Sequence, residues 1–337
     1  MYKVGLIGFG YWGPNLARNI NNHPKFELAV IAEQQESRQR IAENMFARTR
    51  LVNDGLEVCR NPELEVVIIA TPAEFHFKFA KEALVQGKHV MVEKPAGKSL
   101  RELQELHELA RMNNKVLLVD YTFLYHGAVQ KINQIVNEPS FGRFNYMDAT
   151  RINLGIFQQD VNVIWDLASH DIAIVNYLTK KLPSSVKADG ISHTNNGIEN
   201  IAYLTLKYED TKFMVHLSCS WTSPVKIRQL LIGGDNKMLI YNDIEPTDKI
   251  KVYDTNLNFS QQNRSDILID YRIGDISIPK FNTEEALSGL VEDLYQSIVN
   301  NKQALSSSAF ALQVSAILEA AQKSIQMQGT EVDIDYL

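Results

Sequence analysis

Cysteine is scarce: Cys59 and Cys219 are the only two in 337 residues. They form neither a Cys-x-x-Cys pair nor a metal-like spacing, so a disulfide scaffold and a cysteine-built metal centre are excluded. Both read as reduced thiols in a core, and no metal site is expected. An excess of positive charge is also missing, with 34 Lys and Arg against 40 Asp and Glu and a net charge of −6. General affinity for nucleic acid or for an anionic membrane surface is therefore not expected, although a local basic pocket remains compatible. Long apolar runs are absent too. The longest, Val66–Ala70, falls far short of the roughly 20 residues that cross a bilayer. The first residues read as strand rather than as a basic segment followed by an apolar one, so the expected location is the cytoplasm.

What remains is an ordinary globular balance, 45% hydrophobic and 22% charged, which argues against disorder and fibrous folds. The length suits two domains. Lys3–Ile7, Leu28–Ala32, Val66–Ala70, His89–Val92 and Val116–Val119 are short apolar runs that read as buried strands. Helical segments separate them: Pro14–Asn22, Glu36–Met45, Glu74–Gln86 ending at Gly87, and a segment opened by the capping box of Ser99 and Glu102. Such alternation predicts a doubly wound parallel sheet over residues 1–120.

Beyond residue 120 the pattern changes. One helix around Ala128–Val136, a strand at Phe144–Asn153 and a helix at Ile164–Leu178 precede strand-like runs at Val186–His193, Asn200–Tyr208, Lys212–Ser220, Ile227–Tyr241 and Lys249–Tyr253. Asn256–Arg264 reads as a loop, and helices at Glu284–Asn300 and Ala309–Met327 close the chain. Residues 121–337 are thus expected to form an α+β domain with a large, mostly antiparallel open sheet, for substrate binding and oligomerisation.

Gly8-Phe9-Gly10-Tyr11-Trp12-Gly13 matches Gly-x-Gly-x-x-Gly between a strand and a helix, and Glu33 stands at the end of the next strand, twenty residues past Gly13. Glycines permit a tight turn and close approach of a pyrophosphate to the helix N-terminus. The carboxylate suits ribose hydroxyls and opposes the extra phosphate of NADP, so NAD is the expected cofactor on a Rossmann domain. Trp12 is expected near the pyrophosphate turn, and Arg38 is placed to stack beside adenine or to answer a phosphate.

Two further motifs, Ala70-Thr71-Pro72 with His76 and Glu93-Lys94-Pro95, follow successive strands. With the glycine motif they resemble the glucose–fructose oxidoreductase / inositol dehydrogenase / MocA family, and the similarity extends over essentially the whole chain. Gly10–Leu16, Arg151–Gly155 and Val161–Leu167 look like a branch of sugar-nucleotide dehydrogenases, of which UDP-N-acetylglucosamine 3-dehydrogenases are representative. That resemblance implies a cofactor site built also from Thr71, Pro72, His76, Glu93 and Lys94. The chain departs from many relatives after the last Rossmann strand. Tyr121-Thr122-Phe123-Leu124-Tyr125-His126 stands where arginines are common, so Tyr121 and Phe123 are expected as apolar or stacking walls for substrate.

Strand ends of a parallel sheet face the ligand cleft, and a lysine there, Lys94, suits stabilising a substrate oxygen as hydride leaves carbon. Asp166 and His170 are spaced i, i+4 on the helix expected at Ile164–Leu178. By the resemblance His170 is the proton acceptor, with Asp166 holding it or the substrate. Arg151 and Asn153 alternate onto one strand face and are expected to meet substrate phosphate or sugar.

The resemblance implies hydride transfer between a sugar secondary hydroxyl and nicotinamide, in its most specific form oxidation of a UDP-N-acetylhexosamine at the 3-hydroxyl for surface-polysaccharide or amino-sugar synthesis. Reduction of a deoxysugar nucleotide, oxidation of inositol or another polyol, and a non-enzymatic NAD-binding regulator are the alternatives. A broad sheet face with apolar residues at alternate positions suggests a homodimer or homotetramer.

Overall fold

A computed structural model describes the backbone of residues 1–155, 157–159, 161–210, 212–263 and 266–336, and the side chains of these outside 256–273. The chain divides into two compact units, Met1–His126 with Glu284–Ser315, and Gly127–Thr283 with Ala316–Leu337.

In the first unit six strands, β1 (Tyr2–Ile7), β2 (Phe26–Ala32), β3 (Arg50–Val52), β4 (Val66–Ile69), β5 (His89–Glu93) and β6 (Leu117–Asp120), form one sheet in the order β3-β2-β1-β4-β5-β6. Every pairing is parallel. Val66–Ile69, Val90–Val92 and Leu117–Val119 are buried throughout, which is why these strands read as unbroken apolar runs rather than as alternation. Helices α1 (Gly13–Asn22), α2 (Glu36–Met45), α3 (Gly55–Arg60), α4 (His76–Val85) and α5 (Leu100–Met112) connect them. Ser99 caps α5 by accepting from the Glu102 amide, and Gly87 takes the left-handed conformation after α4 at φ +71°. The very short β3 and α3 carry too little apolar periodicity to be read from sequence.

A single boundary at residue 120 does not contain the late return of the chain to this unit. Its cause is specific polar and aromatic packing. Arg18 grips Glu285 with two bonds of 2.8 and 2.7 Å, Tyr125 donates to Asp293 at 2.7 Å, and Tyr295 sets its ring edge-on against Phe26.

The second unit holds nine strands in the order β14-β13-β12-β11-β7-β10-β9-β8-β15. They are β7 (Phe144–Leu154), β8 (Ser185–Ile191), β9 (Ile201–Lys207), β10 (Met214–Ser220), β11 (Thr222–Gly234), β12 (Met238–Asn242), β13 (Ile250–Asn263), β14 (Asp266–Ser277) and β15 (Val332–Asp333). Among the described residues only β7 and β10 run parallel in this sheet. Met147 and Ala149, Val215 and Leu217, and Leu204 and Leu206 are buried on one face. Helices α6 (Gly127–Val136) and α7 (Ser169–Thr179) belong to this unit, and α7 packs on β7. On the other face Tyr203 stacks on His216 and stays 52% exposed, and Met214 is 50% exposed.

Three expectations are corrected. The run Ile227–Tyr241 is two strands, split by the turn at Asp235-Asn236-Lys237. Asn256–Asn263 is strand, paired with β14 apart from a register shift between Gln261 and Asn263, while Arg264 lies outside the described residues. The helix expected at Ile164–Leu178 opens with a π-helical turn over Ile164–Ala168 before α7 begins. Among the described residues no helix is long and apolar enough to cross a membrane, and no His/Cys/Asp/Glu group could hold a metal. Cys59 and Cys219 are both buried free thiols, and burial pushes the Cys59 thiol up to about 12.

Candidate active site

The glycine turn follows β1. Gly8 has φ +93°, and a Cβ there would lie 2.6 Å from the Ala70 carbonyl oxygen; at Gly13 it would lie 2.5 Å from the Gly8 oxygen. Backbone crowding therefore demands glycine at both places. Gly10 differs, since the nearest atom to its Cβ would be Arg38 Nη1 at 3.5 Å, an ordinary contact. Packing within the chain does not require glycine there, whereas close approach of a dinucleotide does. No side chain caps α1, and no acidic residue stands in its first turn, which leaves this helix start suited to an anion. Tyr11 and Trp12 meet edge to face at the exposed rim of the turn, while Phe9 is buried against Phe46.

Glu33 is buried at the end of β2. Its carboxylate accepts the Phe9 amide at 2.7 Å and the Gln35 amide at 2.8 Å. It thus braces the glycine turn and fixes its own orientation. Two carboxylate oxygens offer about four acceptor directions, so capacity remains for ribose hydroxyls. Residues and spacing fit NAD.

The loops after β4 and β5 are tied together by His76, a buried residue at the start of α4. Its Nε2 lies 2.7 Å from the Thr71 carbonyl oxygen and its Nδ1 2.8 Å from that of Pro95. Both acceptors are carbonyls, so the ring donates an N–H to at least one of them. Thr71, Pro72, Glu93 and Lys94 are thereby gathered at one edge of the sheet. Tyr121 is buried and meets Phe310 edge to face, so it belongs to the core rather than to an open wall; Phe123 is half-buried.

Asp120 escaped the sequence reading. It ends β6 directly opposite Glu93, the last residue of β5. The Thr122 hydroxyl donates to Asp120 Oδ1. Burial, and then the charge of Asp120, hold the Glu93 carboxyl well above the usual carboxylate range, with Lys94 pulling the other way. Burial raises Asp120 as well. A polar residue at the end of an apolar run was the signal available.

The second unit carries the other candidates. Asp166 lies in the π-helical turn, where i→i+5 bonding replaces the α-helical spacing assumed for Asp166 and His170. The fully buried Trp221, between β10 and β11, donates its indole N–H to Asp166 Oδ2 at 3.0 Å. His170 is half-buried in the first turn of α7. Arg151 is buried, and its guanidinium fork meets Asp171 at 2.9 and 2.7 Å, so it faces α7 rather than an open substrate surface. Asn153, two residues on, is half-buried.

Comparison with known proteins agrees with this geometry. Residues 2–121 match the pattern described as an oxidoreductase family with an NAD-binding Rossmann fold, and residues 129–240 match the GFO/IDH/MocA C-terminal domain. The oxidoreductase YdgJ of Escherichia coli is 28% identical over 64% of this chain and 64% of its own length. UDP-N-acetylglucosamine 3-dehydrogenase of Acidithiobacillus ferrooxidans is 29% identical over 60% of this chain and 63% of its own. These matches span somewhat less than two thirds of the relatives' lengths. In solved structures, levoglucosan dehydrogenase in complex with NADH superposes with a TM-score of 0.83 at 19% identity, covering 100% of each chain, which shows a shared fold. With both halves matched in order, and the glycine turn, Glu33 and the Glu93-Lys94-Pro95 loop set at the strand ends, the chain belongs to the Gfo/Idh/MocA family of NAD-binding oxidoreductases.

Proposed function

We propose that this protein oxidises a secondary hydroxyl of a sugar, most specifically the 3-hydroxyl of a UDP-linked N-acetylated hexosamine. The observation that carries the reading is the place of Lys94, directly after β5 at the carboxyl edge of the nicotinamide half of the sheet. Bound NAD supplies the hydride acceptor. Lys94 holds the substrate oxygen and stabilises its negative charge, and His170 takes the hydroxyl proton. Asp166, oriented by Trp221, positions substrate or histidine. A relative named for the UDP-N-acetylglucosamine reaction supports the substrate class.

The test uses Lys94→Ala and His170→Ala, with NAD affinity measured by titration and turnover by nicotinamide absorbance over a panel of UDP-sugars, deoxysugar nucleotides and free polyols. Loss of turnover with retained NAD binding is expected for both. Turnover that survives both substitutions refutes the assigned roles, and a preference for free polyols refutes the substrate.

We also propose a homodimer or a dimer of such dimers, formed through the sheet face that bears Tyr146, Tyr203 and Met214. Sedimentation of the full chain at micromolar concentration checks this; a monomer overturns it.

A further inference from the structure

Two carboxyl groups at adjacent strand ends are unusual in a parallel sheet whose central strands are largely apolar. Glu93 and Asp120 are partners in register on β5 and β6, strands set about 4.8 Å apart, and in-register parallel neighbours project to the same side. Asp120 is 2% exposed. Its Oδ1 accepts from the Thr122 hydroxyl, while its buried Oδ2 has no hydrogen-bond partner of standard geometry among the described residues. Asp120 is buried and Glu93 half-buried, and two ionised carboxylates side by side at such a place are costly. One proton between them removes most of that cost.

The charged group acting on both is Lys94. On the β6 side the neighbour is the Thr122 hydroxyl. On the β4 side stands His76, bonded to the Thr71 and Pro95 carbonyls. The strand order β3-β2-β1-β4-β5-β6 assigns β1–β3, with Glu33, to the adenosine half of a dinucleotide and β4–β6 to the nicotinamide half. The pair therefore stands at the half of the sheet where the ring changes charge, from positive when oxidised to neutral when reduced.

We propose that Asp120 is a positioning residue which keeps one proton on Glu93, so that the nicotinamide half of the site presents a neutral acid beside Lys94 and the balance between oxidised and reduced cofactor is set by this pair. An ionised Glu93 would favour the positive ring. Keeping it neutral prevents the enzyme from holding NAD⁺ too tightly relative to NADH. The inference needs NAD to bind but does not depend on the sugar reaction, so it is tested without substrate.

The measurement is the ratio of the NADH to the NAD⁺ dissociation constant, by titration calorimetry on the full chain between about pH 5 and pH 9. In the unmodified protein the ratio is expected to rise with pH by about tenfold, the scale of one charge several ångströms away in a protein-like medium. Asp120→Asn is expected to move that rise to lower pH, and Glu93→Gln to abolish it. An infrared difference between unmodified protein and Glu93→Gln at neutral pH should show the stretch of a protonated carboxyl. A ratio that does not change with pH overturns the proposal. So does an Asp120→Asn protein that loses affinity for both forms in equal proportion, the result a merely structural role gives. Should either variant fail to fold, the pH series on the unmodified protein still decides.

Discussion

The indole N–H of Trp221 meets Asp166 Oδ2 at 3.0 Å, fastening a strand junction to the π-helical turn that precedes His170. Nothing in the spacing of Asp166 and His170 reveals this third member, because Trp221 lies 55 residues further along the chain. A hydrogen bond to a charged acceptor contributes about 1.5–3 kcal/mol. Trp221→Phe should therefore lower kcat/KM at least about tenfold while leaving the NAD dissociation constant alone, since the cofactor turn lies in the other unit. Steady-state kinetics beside NAD titration checks this. A parallel fall in both would assign Trp221 to general stability.

Arg151 and Asp171 form a buried, two-bond ion pair joining β7 to α7 next to His170. Removing one member strands the other charge, a loss of about 3–5 kcal/mol; replacing both by apolar residues restores much of it. Arg151→Met and Asp171→Leu should each lower the denaturant midpoint sharply, and the double variant should recover most of the difference. Additive losses in the double variant would show that the residues do not act as a pair.

The extent to which this molecule is legible from its residues follows from where its signals are local. Gly8, Gly13 and Glu33 declare themselves because a tight turn, a helix start and a strand end must be neighbours in sequence as well as in space. The parallel sheet is legible for the same reason, since most of its strands bury both faces and write apolar runs. Arg151 misled because alternation gives the face of a strand but not what covers it; here α7 brings Asp171 against it. The return of residues 284–315 to the first unit rests on Arg18 meeting Glu285, a partnership across 267 positions that no local pattern encodes. Asp120 offers only a polar end to an apolar run, and its partnership with Glu93 needs the strand order.

Glu33 has two tasks that can be separated. Its oxygens hold the Phe9 and Gln35 amides, and its charge discriminates against a 2′-phosphate. Glu33→Gln keeps one acceptor and drops the charge, so the preference for NAD over NADP should narrow by about tenfold with modest loss of stability. Glu33→Ala removes the brace as well and should weaken both cofactors. Comparative titration with NAD and NADP checks this, and unchanged discrimination in both variants would remove Glu33 from the role.

Acid sensitivity should trace in part to His89, at the opposite end of β5 from Glu93. Its Nδ1 accepts the Val116 amide at 3.0 Å, which requires an unprotonated nitrogen. Burial, followed by the nearby Lys115, depresses its pKa to about 4 from the ordinary 6.5. Between those values the unfolded chain binds a proton that the folded chain refuses, so stability falls as pH drops from about 6.5 to about 4. At roughly 1.4 kcal/mol for each unit of pH over that interval, the contribution has an upper bound of about 3–4 kcal/mol. His89→Asn retains an acceptor for the Val116 amide but cannot be protonated. The variant should therefore lose less stability than the parent between neutral pH and about pH 4, measured by denaturant unfolding at each pH. Curves that fall in parallel would place the acid-sensitive group elsewhere.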